Sequence, residues 1–413
     1  MRAVIAVGAM ALFGWCAWFG VCAGASRLLS DYAVRSGNPE AAELAARLAP
    51  EDPEAHYALA GLLATAGNNE AAILGYQRAL SLRPGDYVIW LELGKVYDSA
   101  GKVEAALGAF REAVKLAPHY AQPRWQLGQA LLRAGRREEA FTELRRAAES
   151  NKTLYPNLIE AAWHAAAGDM AFFLAAVEPR GNTLTESLIL ANFLIRQGEV
   201  RAATDIYRKL GGGVTDAERR SLVAALITSG NYPEAYAIWA DAAEDGRDGL
   251  TGGGFEGALR TDGEGFDWQF APDQTYAKFS LDEESPREGK RSLRLDLSGN
   301  SAPSARLISR LVPVTPGARY RVEFSARTRE VVTGGPLIVR IVEAEGARGG
   351  EALGNTQPLP TGTTEGWRDF SVEFSTRGNT KAVRLVLERQ NCTSSPCPAF
   401  GHVWFDRFAL KEL

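Results

Sequence analysis

Apolar positions recur at helical spacing through the first three-fifths of the chain and alternate one-on, one-off through the rest. Between Arg2 and Arg27 lie 24 residues without a charge. As a helix this run is about 36 Å long, enough to cross a hydrocarbon core of about 30 Å. From 50 to 152 the pattern repeats. Pro50, Pro84 and Pro118 are 34 residues apart, as are Gly67, Gly101 and Gly135, Ala72, Ala106 and Ala140, Ala79, Ala113 and Ala147, and Leu59, Leu93 and Leu127. One spacing shared by these columns predicts a stacked helix–turn–helix unit. The alanines mark close helix crossings, the glycines end each first helix, and the prolines stop each second one.

The unit Trp90…Leu93-Gly94…Tyr97…Ala106…Phe110…Ala113…Pro118 resembles a complete tetratricopeptide repeat. In the unit before it His56 stands in the tryptophan column and Ala60 in the glycine column; in the unit after it Arg124 stands in the tryptophan column, with Trp125 beside it. Trp125 either slips back into the slot or faces a partner. The resemblance implies a groove lined by the first helices, with Tyr57, Leu91, Lys95, Asp98, Trp125, Gln129 and Arg133 pointing into it. A protein or peptide is the partner this implies. Looser pairs follow at 157–166 with 170–178, 185–196 with 200–210, and 217–228 with 232–243, and a half-unit precedes at 39–49.

Around 247–254 the composition turns to Gly and Asp, and helical periodicity stops. Beyond it Ser292–Leu297, Tyr320–Ala326, Phe370–Phe374 and Val383–Leu387 read as alternating strands, with Leu337–Glu343 and His402–Leu410 as further ones. Punctuated by Pro, Gly and Asn, these predict an antiparallel sandwich of eight to ten short strands. The fold class expected is therefore multidomain α plus β. The segments are 1–26 as signal anchor or signal peptide, 27–245 as helical solenoid, 246–254 as linker and 255–413 as sandwich.

The ordered set Gly253-Gly-Phe-Glu256, Phe266-Asp-Trp268, Glu288–Leu295, Val312–Gly317, Tyr320–Arg327, Gly366-Trp367 and Trp404-Phe-Asp406 resembles carbohydrate-binding modules with a galactose-binding-like jelly roll. That resemblance implies a structural calcium between Glu256 and Asp406, set against two ordinary carboxylates as the alternative. It also implies glycan contact by exposed aromatics, for which Tyr276, Trp367, Phe400 and Trp404 are the candidates; Trp268 and Trp367 hold positions the family buries.

A formal net charge of −4 over 413 residues leaves no basic footprint for nucleic acid. Cys392 and Cys397 flank a short loop with His402 as the only nearby histidine, too few ligands for a metal site, so a loop-closing disulfide is favoured over free thiols, and with it an oxidising compartment. Ala23-Gly24-Ala25 fits a signal-peptidase site, so the N-terminal run is either a retained anchor in a bacterial inner membrane, the rest facing the periplasm, or a cleaved leader of a secreted protein. The sequence holds no His-Glu-x-x-His, no Gly-x-Ser-x-Gly and no Gly-Lys-Ser/Thr phosphate loop, and Glu283-Glu284 would point to opposite faces of a strand. The reading is a non-catalytic membrane-tethered scaffold that requires no cofactor. A polysaccharide-binding or assembly factor is the alternative, and a glycan-active enzyme the second alternative.

Overall fold

The computed structural model describes residues 2–179, 183–241, 250, 253–259, 265–271, 276–300, 306–344, 350–392 and 397–413. It divides into two compact units, Met1–Arg180 and Gly181–Leu413.

The first unit is helical: α1 (Arg2–Ser36), α2 (Pro39–Leu48), α3 (Pro53–Thr65), α4 (Asn69–Leu82), α5 (Tyr87–Ser99), α6 (Val103–Leu116), α7 (Ala121–Arg133), α8 (Arg137–Ser150), α9 (Tyr155–Ala166) and α10 (Met170–Val177). Consecutive helices pack in pairs, and the first helices α3, α5 and α7 adjoin one another. The alanine columns sit where expected: Ala72, Ala79, Ala113, Ala140 and Ala147 are 0% exposed. The turn glycines Gly67, Gly101 and Gly135 take φ of 78°, 72° and 75°. Each closes its helix with the same two bonds, as in Gly101 N–H to Asp98 O at 3.0 Å and Lys102 N–H to Tyr97 O at 2.8 Å. Asn38, Asp52, Asn68 and Asp86 cap helix starts with their side-chain oxygens.

The uncharged run does not end in a break. α1 carries it through Arg27 to Ser36, and its last turns form the first helix of a pair with α2. Ser26, Ser30 and Ala33 are buried there, and the Ser26 hydroxyl donates to Ala45 O at 3.0 Å. The half-unit expected at 39–49 thus has a partner, which is the continuation of α1.

The second unit joins four helices, α11 (Leu184–Arg196), α12 (Val200–Leu210), α13 (Asp216–Thr228) and α14 (Tyr232–Ala240), to two antiparallel five-stranded sheets. Ten strands are described: β1 (Gln269–Phe270), β2 (Ala277–Asp282), β3 (Ser292–Asn300), β4 (Arg306–Pro313), β5 (Arg319–Thr333), β6 (Leu337–Glu343), β7 (Ala352–Asn355), β8 (Arg368–Ser375), β9 (Ala382–Arg389) and β10 (Pro398–Glu412). One sheet runs β1-β4-β9-β6-β7 and the other β2-β3-β10-β5-β8. Leu293, Leu295, Val322, Phe324, Val403 and Phe405 from one sheet meet Leu307, Val339, Ile341, Val383 and Leu385 from the other in a single core.

The sheets differ in what lies outside them. In β8 burial alternates as the sequence implies, whereas β4, β6 and β9 are buried almost throughout. Val386, which interrupts the alternation expected for 383–387, is 2% exposed, as is Ile338, and Leu311 is 1% exposed; none of the three belongs to the inter-sheet core. α14 lies against β4, and the Tyr232 hydroxyl donates to Ala344 O at 2.6 Å. Phe266, 0% exposed, packs edge-on against Tyr236 and beside Trp239 of α14. α14 therefore backs the first sheet at β4, and its strands β4, β9 and β6 are buried on both faces.

Candidate functional site

Two surfaces carry the residues singled out by sequence, one on the first helices of the repeats and one on the β2-β3-β10-β5-β8 sheet.

On the helices, the tryptophan column has a role visible only in three dimensions. His56 Nε2 lies 2.9 Å from Pro50 O, Trp90 Nε1 donates to Pro84 O at 3.0 Å, and Arg124 Nε donates to Pro118 O at 3.0 Å. Different side chains all bond to the carbonyl six residues earlier, the proline that follows the preceding second helix. Arg124 also pairs with Glu143 at 2.6 Å, each only 15% exposed. Arg124 therefore fills the slot itself, and Trp125 has no need to slip back: it stays half-buried on α7. The glycine column is tight as well. A Cβ on Gly94 would stand 2.6 Å from the Phe110 ring and one on Gly128 2.5 Å from Leu144 Cγ. Where Ala60 replaces that glycine, Gly75 faces it: a Cβ on Gly75 would come within 2.9 Å of Ala60 Cβ.

The residues expected in the groove separate into several kinds. Leu91 is 2% exposed and part of the core formed with Phe110, Leu127 and Leu131, so it offers nothing to a partner. Asp98 and Arg133 are joined at 2.5 Å, tying α5 to α7. Lys95 is held by Glu92 at 2.7 Å. Tyr57 is half-buried, its ring edge-on to Tyr76 at 5.7 Å; burial, then the charge of Glu92, pushes its hydroxyl up from the ordinary range. Trp125 and Gln129 share the half-buried side of α7. Sequence reasoning missed Tyr87 and Tyr120, which stack at 5.3 Å between the starts of α5 and α7, with Tyr120 60% exposed. The signal was an aromatic at the opening of two successive first helices.

On the sheet, the outward residues line up in rows. Trp404 of β10 lies opposite Arg294 of β3 and Arg327 of β5; His402 lies opposite Asp296 and Arg329; Phe400 lies opposite Ser298 and Val332. Trp404 is 4% exposed, with Arg327 stacked 4.4 Å from its ring and its indole N–H donating to Asp282 Oδ2 at 2.8 Å. Its face is covered, and as a glycan contact it is withdrawn. Trp367 is half-buried, with Arg327 5.3 Å over its ring and its N–H on Ser285 O at 3.2 Å. Tyr276 packs against the inter-sheet core, as does Trp268. Phe400 alone of the candidates is fully on the surface, 48% exposed. Burial works to raise the carboxyls of Asp282 and Asp296. Hydrogen bonds from Trp404 and the Glu284 amide to Asp282, and from Arg294 and His402 to Asp296, more than offset it and hold both below the usual carboxylate range.

Glu256 and Asp406 do sit on one segment, 287–291. Asp406, 0% exposed, accepts from the amides of Arg287 at 2.8 Å, Glu288 at 3.1 Å and Arg407 at 2.7 Å; Glu256 accepts from the amides of Lys290 at 2.9 Å and Arg291 at 3.2 Å. Burial, together with the charge of Glu256, raises the Asp406 carboxyl. In this arrangement backbone N–H groups, rather than further carboxylates, surround both side chains. Among the described residues no group of three or more His, Cys, Asp or Glu side chains is placed to hold a metal. As arranged, the pair fixes the turn into β3. Cys392 and Cys397 are joined in a disulfide, and the Arg389 guanidinium beneath it donates to Thr333 Oγ1 and Cys397 O, both at 3.0 Å.

Comparison with known proteins bears on the helical part. Family models of the tetratricopeptide repeat match residues 53–96 and 91–157, so the 34-residue units are tetratricopeptide repeats. A search of curated proteins finds no match. Among solved structures, a fragment of MamA from Desulfovibrio magneticus RS-1 aligns at 20% identity over 46% of this chain and 93% of its own, with a TM-score of 0.31. PilF of Pseudomonas aeruginosa aligns at 17% identity over 54% and 91%, with a TM-score of 0.32. A CBM4 structure aligns at 13% identity over 40% and 99%, with a TM-score of 0.30. Scores this low carry no argument about function.

Proposed function

We propose that this protein is a membrane-tethered scaffold that docks a protein or peptide on the first helices of its tetratricopeptide repeats, with the sandwich as an exported accessory domain. The observation that carries this is Trp125. Because Arg124 makes the interhelix contact, the neighbouring indole is left half-open on α7, next to Gln129 and one helix from Lys95. A large aromatic freed from packing on an otherwise polar helix face is the usual anchor of a protein interface. Stacked helix pairs present such faces in a continuous row.

The tether rests on α1. Met10, Leu12, Phe13, Trp15, Trp18, Phe19 and Val21 are 56% to 77% exposed, so this stretch of α1, ahead of the turns that pack on α2, presents large apolar side chains that the fold leaves uncovered. Length and composition suffice to cross a membrane over Leu12–Ser36. The disulfide supports export to an oxidising compartment such as the periplasm. Replacing Trp125 by a photo-crosslinking amino acid in the membrane-bound full chain is expected to give a discrete protein adduct that the same probe at Glu104 does not. Identical adduct patterns from both positions would count against the reading. The tether is checked by alkaline extraction, after which the chain should stay with the membranes.

A second reading has one observation of its own. Phe400 and Val332 lie open on the outward face of β10 and β5, in the row next to that of His402 and Arg329, a surface suited to a polysaccharide.

A further inference from the structure

The outward face of the β2-β3-β10-β5-β8 sheet has an imbalance of charge that the fold does not need. Arg294 is neutralised by Asp296 at 2.7 Å and by Asp282 at 3.7 Å. Arg327 and Arg329, two positions apart on β5 and so on one face, make no ion pair among the described residues. Asp282 and Glu284 lie near Arg327 and partly offset its charge without forming an ion pair with it; Asp282 accepts from the Trp404 indole and the Glu284 amide. Arg327 Nε is buried with no hydrogen-bond partner, its guanidinium flanked by Trp404 at 4.4 Å and Trp367 at 5.3 Å. Arg329 is exposed and 5.7 Å from the Trp404 ring. Two like charges held side by side repel, and a buried guanidinium N–H without an acceptor costs free energy. An anion arriving at the surface would relieve the repulsion. The next row along the strands is apolar and open, Phe400 at 48% and Val332 at 65% exposure.

We propose that this face binds a polysaccharide bearing carboxylate groups, its carboxylate taken by Arg327 and Arg329 and its sugar ring resting on Phe400 and Val332. This depends on the polysaccharide reading above and adds to it the charge class and the place. A guanidinium fork matches a carboxylate in two parallel bonds, and an aromatic ring matches the C–H face of a pyranose. A neutral sugar would leave the exposed Arg329 unanswered. An acidic peptide fits less well, because β5 and β10 each have neighbours on both sides and offer no free edge for an extended chain to join.

The test is calorimetric titration of the full chain in detergent with oligogalacturonate, with its methyl ester, and with poly-L-glutamate. The ester keeps the ring and removes the charge. The acid form is expected to bind and the ester to bind about tenfold more weakly, and R329Q should weaken the acid about tenfold while leaving the ester unchanged, the size of one lost charge-assisted pair. Arg329 is exposed, so R329Q should keep the wild-type circular dichroism and remain interpretable even if a change at Arg327 unfolds the sheet. Equal binding of acid and ester, with R329Q silent, overturns the carboxylate assignment and leaves the polysaccharide reading standing. Polyglutamate binding as tightly as the sugar acid overturns the sugar assignment. Failure of both sugars to bind removes the polysaccharide reading itself.

Discussion

Single residues explain why the repeats tolerate departures from their pattern. Gly94 is needed because Phe110 occupies the volume of its side chain; G94A is expected to destabilise the chain by about 1–3 kcal/mol in urea unfolding, the usual cost of overpacking. G61A, whose Cβ would meet only the Tyr76 hydroxyl at 3.5 Å, serves as the mild control. These columns were legible because a fixed interval exposes them. The role of Arg124 was not: its bond to the carbonyl of Pro118 is shared by histidine, tryptophan and arginine side chains, which have no common hydropathy to reveal it. On the sheet, Asp282 and Asp296 have folded-state pKa values below their ordinary ones. Their stabilisation is present above the ordinary aspartate value of about 3.9 and is lost as pH falls through the folded values. The urea midpoint of the wild type should therefore drop below about pH 4, and D296N should flatten that drop while lowering the plateau at neutral pH.

At the scale of elements, one turn design is reused well past the clear repeats. Gly198 and Gly230 take φ of 83° and 75° and make the same pair of closing bonds as Gly101. Replacing Gly101 or Gly230 by alanine should each cost about 1 kcal/mol, read from the shift of the unfolding midpoint, because an L side chain strains at positive φ. Gly168 is the exception: Ala167 before it is already left-handed at φ 49°, so that turn is built differently. Helix bounds fell close to expectation because glycine and proline punctuate them; the looser pair expected from 157 and 170 spans Tyr155–Ala166 and Met170–Val177. β1, β2, β4 and β7 escaped notice. β4 is buried on both faces and shows no alternation, and β7 is four residues long. Arg27 does not end α1: its side chain lies 70% exposed while Ser26 and Ser30 beside it turn inward.

At the scale of the whole chain, pattern and packing divide the protein at different points. Periodicity changes near 247, but the compact unit that contains the sheets begins at Gly181 and takes in four helices. The physical reason is the face of β4, β6 and β9 turned away from the sandwich interior. Leu311, Ile338 and Val386 are buried on it, α14 lies against β4, and Phe266 carries the chain from Tyr236 and Trp239 into β1. Cut free at 255, those side chains would form an exposed apolar surface of the kind that drives aggregation. Residues 181–413 expressed alone should unfold in one cooperative transition and stay monomeric in sedimentation, whereas residues 255–413 should self-associate. Arg310 sharpens the comparison. It is 3% exposed, its guanidinium 5.3 Å over the Trp268 ring, and burial pulls its pKa down to about 10. A cation tolerated there depends on the groups around it, Asp267 and Tyr236 among them, so losing α14 removes part of its support along with the apolar cover. A monomeric, cooperatively folded 255–413 fragment would show that the helices are passengers on the sandwich; aggregation rescued by restoring 181–254 would show that they complete it.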